Sequence, residues 1–129
     1  MTTIPTTWLQ YAMADFDAAE RLFQSPKPTR WTYLLVLWHC HQTVEKGLKA
    51  VMVGRGQEIL KIHDLPRLSH LAKIALDKKK KAFLENLNVY YLQSRYPDLM
   101  YPPLPNPDKA STERLLKETK QFFLWLEKQ

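Results

Sequence analysis

The stretch from about Thr29 to Val53 limits the possible folds more than any other part of the chain. At ~100° per residue, Tyr33, Leu37, Cys40, Val44, Leu48 and Val51 line one side of a helix, while Trp31, Leu34, Leu35 and Trp38 line another. A helix apolar on two sides needs cover on both, so it is the centre of a bundle or part of an interface between subunits. Gly54-Arg55-Gly56 supplies its stop.

The flanking segments carry the same spacing. Trp8, Ala12, Phe16, Ala19 and Phe23 form an amphipathic stripe, opened by Thr7 and Gln10 as a capping box and closed by Ser25-Pro26-Lys27-Pro28. Asp64 caps a short third helix with Pro66 in its first turn and Leu65, Leu68, Leu71, Ala72 and Ala75 facing inward. Asp77 caps a fourth, about 78–93, which buries Phe83, Leu84, Leu87 and Tyr91, with Tyr90 a further candidate. Residues 94–107 form a connector, because Pro97, Pro102, Pro103, Pro105 and Pro107 cannot sit inside a helix. The last helix starts near Asn106-Pro107 and buries Leu115, Phe122, Leu126 and either Phe123 or Trp125. No stretch alternates with period two for long enough to argue a sheet. The expectation is one all-α domain over residues 1–129, core about 6–128, built as a five-helix antiparallel up-and-down bundle.

Composition narrows the setting. A chain of 129 residues is one domain's worth, long enough to bury a core without staples. Its single Cys excludes an intramolecular disulfide framework and fits a reducing, cytoplasmic location. Met1-Thr2-Thr3-Ile4-Pro5 has no basic stretch leading into an apolar run, so no signal peptide is expected. The longest apolar run, Leu34 to Trp38, falls far short of the ~20 residues that span a bilayer. Nineteen Lys and Arg against 13 Asp and Glu give a net charge of +6, which permits a polyanionic partner without requiring one.

The most informative stretch is His41-Gln42-Thr43-Val44-Glu45-Lys46-Gly47-Leu48-Lys49. The stripe through Trp31, Leu35 and Trp38 runs on into Gln42, Glu45 and Lys49, with His41 beside it, so one face turns from aromatic to polar. Either the polar half emerges at the surface as i, i+4 pairs such as Glu45 with Lys49, or it lines a groove as a partly buried network.

Ser94-Arg95-Tyr96-Pro97-Asp98 sets Arg and Asp around an aromatic. Arg95 suits a phosphate or carboxylate, and Tyr96 suits stacking on a base or ring. Alternatively, Arg95 pairs with a carboxylate such as Glu45 and pins the connector. His63-Asp64 reads most simply as a cap beside a histidine satisfied by backbone. His39 and His41 point ~200° apart on a helix and cannot share a metal, so no metal site is expected. Lys78 to Lys81 opens a helix where the dipole disfavours cations; it is solvated surface or a phosphate-contacting patch. No Gly-rich phosphate loop and no nucleophile–base spacing argues for nucleophilic catalysis.

Three motifs in order, His41-Gln42-x-x-Glu45-Lys46-x-Leu48-Lys49-Ala50, His63-Asp64-Leu65-x-x-Leu68 and Ser94-Arg95-Tyr96-Pro97-Asp98, resemble the HEPN domain (higher eukaryotes and prokaryotes nucleotide-binding domain). Trp8-x-x-x-Ala12-x-x-Asp15 and the closing Trp125-Leu126 fit as well, so the resemblance covers about residues 6–128. It implies an all-helical bundle, often a homodimer, found in many bacteria and archaea beside a separate small nucleotidyltransferase. Such domains act as toxin–antitoxin components, as RNases, or as non-catalytic nucleotide- or RNA-binding modules. The resemblance points most directly to His41, Lys49 and Arg95; a binding module would add Gln42, Glu45, Tyr96 and Asp98 as ligand-binding residues. In that reading Lys49 and Arg95 meet phosphate, Tyr96 stacks and Glu45 orients Lys49.

RNase-active members carry an Arg followed by a His after four to six intervening residues. Here Arg30 to His39 leaves eight between, Arg55 to His63 seven and Arg67 to His70 two, and no His follows His70. The resemblance therefore points to a non-catalytic module that needs no cofactor beyond a bound nucleotide. An RNase toxin with a composite site of His63 and Arg95 is the alternative, and a purely structural dimeric subunit is the third reading.

Overall fold

A computed structural model describes residues 6–92 and 104–129. Its helices are α1 (Thr6–Phe23), α2 (Arg30–Gly54), α3 (Leu65–Leu71), α4 (Lys78–Asn88) and α5 (Lys109–Leu126), and no strand occurs among the described residues. The all-α bundle is thus as expected, with three long helices and a shorter pair on their flank.

Local chemistry sets the helix starts. The Thr29 hydroxyl accepts from the Thr32 N–H while the Thr32 hydroxyl accepts from the Thr29 N–H, a reciprocal box at the head of α2. Asp64 caps α3 through the Arg67 N–H, and Asp77 caps α4 through the Lys80 N–H. Two starts differ from the sequence expectation. The described α1 already contains Thr7, which lies within its first turn instead of capping it. In α5 the cap is Asp108, whose carboxylate accepts from the Ser111 N–H while Ser111 Oγ accepts from the Asp108 N–H. That reciprocal pair outcompetes the Asn106-Pro107 start.

Core packing explains why α2 is central. Leu34, Leu37, Cys40, Val44 and Leu48 are fully buried, and each Leu contributes about 1.5–3 kcal/mol by leaving water. Against them pack Ala12, Phe16 and Ala19 of α1, Leu65 and Leu68 of α3, Leu84 and Leu87 of α4, and Leu115, Phe122 and Leu126 of α5. Gly47 lets α5 come close: a Cβ there would stand 2.9 Å from Leu126 Cδ2. The second apolar face of α2 divides. Leu34 joins the core, Trp38 is half-buried, and Trp31 and Leu35 remain 58% and 42% exposed.

Two burial expectations shift at helix ends, and one alternative is decided. Helix α3 stops at Leu71, and Lys73 adopts a left-handed φ of 58°, so Ile74 turns inward and Ala75 is exposed. Helix α4 stops at Asn88, short of 93, and the turn after it buries Tyr90 while leaving Tyr91 half-exposed. In α5, Phe123 is buried and Trp125 only partly so. Of the proline connector, residues 94–103 lie outside the described residues.

Burial pushes the Cys40 thiol up to about 12, so almost no reactive thiolate exists at neutral pH. An aromatic disulfide reagent is expected to leave Cys40 unlabelled in the folded protein and to label it fully in concentrated urea. Rapid labelling of the native protein would place the thiol nearer the surface.

Candidate functional site

On α2, His41, Glu45 and Lys49 follow one another at i, i+4 and i+8, so they stand in line along one face. All three are buried, Glu45 and Lys49 to within a few per cent. Lys49 Nζ donates to Glu45 Oε2 at 3.0 Å. The i, i+4 pair therefore exists, but it lies inside the protein and not at the surface. His63, on the loop leading into α3, brings Nδ1 to 3.0 Å from both Glu45 oxygens. Its partner is this carboxylate, not the backbone expected from the sequence.

Rings close the cluster. Tyr91, just past α4, stacks on His63 with centroids 4.4 Å apart and planes at 17°, and on His41 at 5.4 Å and 27°. Burial, and next the Glu45 charge, raise the Tyr91 phenol above its usual range. The outer members are open to solvent, with the His63 side chain 42% exposed. A partly exposed ring stack thus lies over a buried ion pair.

His41 is the anomaly of the cluster. It is fully buried, and among the described residues neither ring nitrogen makes a hydrogen bond of ordinary geometry. Burial lowers its pKa to about 4, against the opposing pull of Glu45 and of weaker contacts with the Asn88 side chain and the His63 backbone. The ring is neutral at pH 7. Asn88 is itself engaged, because its Oδ1 accepts from the Leu65 N–H. Leaving a buried polar group unpaired costs about 1–3 kcal/mol; the nearest charge to the ring is Glu45, whose Oε1 lies 3.8 Å from Nδ1.

A second polar cluster is one that the sequence reading does not anticipate. Asp15 of α1 accepts from His39 at 2.9 Å through one oxygen and from Lys46 through the other. His39 and Lys46 are seven residues apart, two helical turns, and Asp15 interrupts an otherwise apolar stripe; that interruption is the available signal. His39 also packs edge-on against Trp38 at 4.8 Å. His39 and His41 do point to different neighbours, and among the described residues no group of His, Cys, Asp and Glu converges as a metal ion requires.

Of the other sequence-derived candidates, Gln42 is half-buried at the end of the Trp31–Leu35–Trp38 stripe. Arg95, Tyr96 and Asp98 lie outside the described residues. Helical spacing assigns Tyr91 to the core and so misses its place in the ring stack. Arg55, which misses the RNase spacing to His63 by one residue, turns away from it: its guanidinium donates to the Ala72 and Lys73 carbonyls. None of the described helices is long and apolar enough to cross a membrane.

Comparison with known proteins places this arrangement in context. The family model for the HEPN domain matches residues 6–129. A crystal structure of TT1696 from Thermus thermophilus superposes with a TM-score of 0.74 at 22% identity, covering 95% of this chain and 94% of that one. At that identity the likeness is one of fold. No curated protein matches the chain.

Proposed function

Because the chain belongs to the HEPN domain family, we propose that it is a non-catalytic nucleotide- or RNA-binding and interaction module working beside a small nucleotidyltransferase in a toxin–antitoxin-like system. The observation that carries this reading is the half-exposed His63–Tyr91 stack over the buried Glu45–Lys49 pair. Histidine and tyrosine faces are platforms on which an unstacked base settles, and the net charge of +6 favours an anionic ligand. Gln42, half-buried on α2 directly after His41, offers an amide to a base edge or sugar. Lys49 and Arg95 are assigned to phosphate, with Glu45 holding the Lys49 ammonium, Tyr96 stacking and Asp98 completing the connector side. The exposed Trp31 and Leu35 lead along α2 towards this site. A second copy of the chain covering that stripe would form a homodimer with the site beside the interface.

One observation favours the RNase reading. With its proton on Nδ1 and that proton donated to Glu45, His63 keeps Nε2 as an acceptor, the form a general base needs beside a 2′-hydroxyl. In that reading Arg95 supplies the cation for the phosphate.

Native mass spectrometry of the protein recovered gently from its host tests both readings. The expected result is a complex with a small nucleotidyltransferase and a retained nucleotide or short RNA, which Tyr91→Leu loses at unchanged melting temperature. RNA cleavage that disappears in His63→Ala would establish the catalytic alternative instead. A bare protein that neither retains nor cleaves RNA would leave the cluster as a packing device.

A further inference from the structure

The four-lysine run at the head of α4 has no part in the Glu45 cluster, which lies by the opposite end of that helix. Two of its members, Lys79 and Lys80, line a cavity of about 180 Å³ between α4 and α5 together with Phe83, Glu118, Gln121, Phe122 and Trp125. The floor is aromatic: Phe83 and Phe122 rings lie 5.4 Å apart, and Phe122 and Trp125 5.5 Å. Lys80 folds over the Trp125 indole at 4.7 Å while its ammonium also reaches Asp77 at 3.1 Å.

The two ends of the cavity differ in charge. Pairing of Lys80 with Trp125 and of Phe83 with Phe122 makes α4 and α5 antiparallel, so the lysines stand by Trp125. Glu118 lies seven residues back along α5, about 10 Å along the axis. A dry apolar cavity of about 150 Å³ holds one benzene ring, so this space suits a single ring and little more. One end would then meet ammonium groups, and the other a carboxylate and the Gln121 amide.

We propose that this cavity is a second ligand site, selective for a single aromatic ring bearing an anionic group at one end and a hydrogen-bond donor at the other. The ring stacks against Trp125 over Phe83 and Phe122, the anion displaces Asp77 as the partner of Lys80 and meets Lys79, and the donor faces Glu118. The lysines gather at a helix start that disfavours cations, so an incoming anion there relieves repulsion beyond what the Asp77–Lys80 pair offsets.

The test is a nuclear magnetic resonance titration of the full chain with 4-hydroxybenzoate, followed at the Trp125 indole N–H, which Trp125→Phe identifies. The expected dissociation constant is about 1 mM, the affinity that a ligand of about ten heavy atoms reaches at modest efficiency. Benzoate should bind several-fold more weakly, and phenol and inorganic phosphate at least about tenfold more weakly, because benzoate lacks the donor, phenol the anion, and phosphate both the ring and the reach to Glu118. Lys79→Gln with Lys80→Gln should weaken 4-hydroxybenzoate about tenfold at unchanged melting temperature, since both side chains sit at the rim. Equal shifts from inorganic phosphate, shifts of α4 amides without the indole, or an undiminished affinity in the double variant would overturn the proposal.

Discussion

Glu45→Ala is expected to cost about 3–5 kcal/mol of folding free energy, because it leaves the Lys49 ammonium in the interior without its anion. The Lys49 side chain is only 8% exposed, and Glu45 stands against it at 3.0 Å. The same change removes the carboxylate from His63, whose half-exposed ring finds water instead, so that part of the loss is small. Glu45→Gln keeps an acceptor and the volume and should cost about 1–3 kcal/mol. The informative comparison is the double variant Glu45→Met with Lys49→Met. Replacing a whole buried ion pair by apolar groups of similar volume is often close to neutral, so urea denaturation should find the double variant more stable than Glu45→Ala. A double variant at least as unstable as the single would show that the charges are not coupled.

Acid should weaken the fold well above the carboxylate range. His41 titrates at about 4 in the folded chain against 6.5 when free. Between those values the unfolded chain binds a proton that the folded chain refuses, so stability falls as pH drops from about 6.5 to about 4. The loss is on the order of 3 kcal/mol once pH lies below both values. Asp77 and Asp108 act in a lower window: their backbone N–H partners hold both carboxyls below 3.8 when folded. Their contribution is present above that value and is lost as pH falls through the depressed pKa. His41→Phe separates the two windows, since it keeps a ring against Tyr91 and removes the proton. Its melting temperature at pH 7 should stay the same or rise, and its stability between pH 6.5 and 4 should be flatter than that of the parent. An unchanged slope in His41→Phe would move the titration to another group.

Helices α3 and α4 were legible because their starts are encoded within four residues: Asp64 and Asp77 both precede a run that needs a cap, and both cap it. Asn106-Pro107 misled because two adjacent start signals compete, and only the geometry of Asp108 with Ser111 decides between them. The site was legible in part for the same reason. Glu45 and Lys49 are one turn apart, so their pairing follows from helix periodicity; that they are buried does not, because His63 and Tyr91 cover them from 18 and 46 residues away. Periodicity says nothing of loops, and His63 sits on one. Tyr91 was misplaced for a related reason: helix α4 ends at Asn88, and a register extended beyond that point assigns its ring to the core, where only Tyr90, the further candidate, is buried.

The claim that the Glu45 cluster is a binding site, and not only a packing device, rests on its half-exposed face. Isothermal titration of the protein with a nucleotide panel and a short single-stranded RNA, repeated with Tyr91→Leu and with His63→Asn, tests it most directly. Stacking on a side chain is worth about 1–3 kcal/mol per base, so each variant should lose about fivefold or more in affinity while melting as the parent does. Affinity unchanged in both variants, or no binding by the parent chain to any member of the panel, would contradict it.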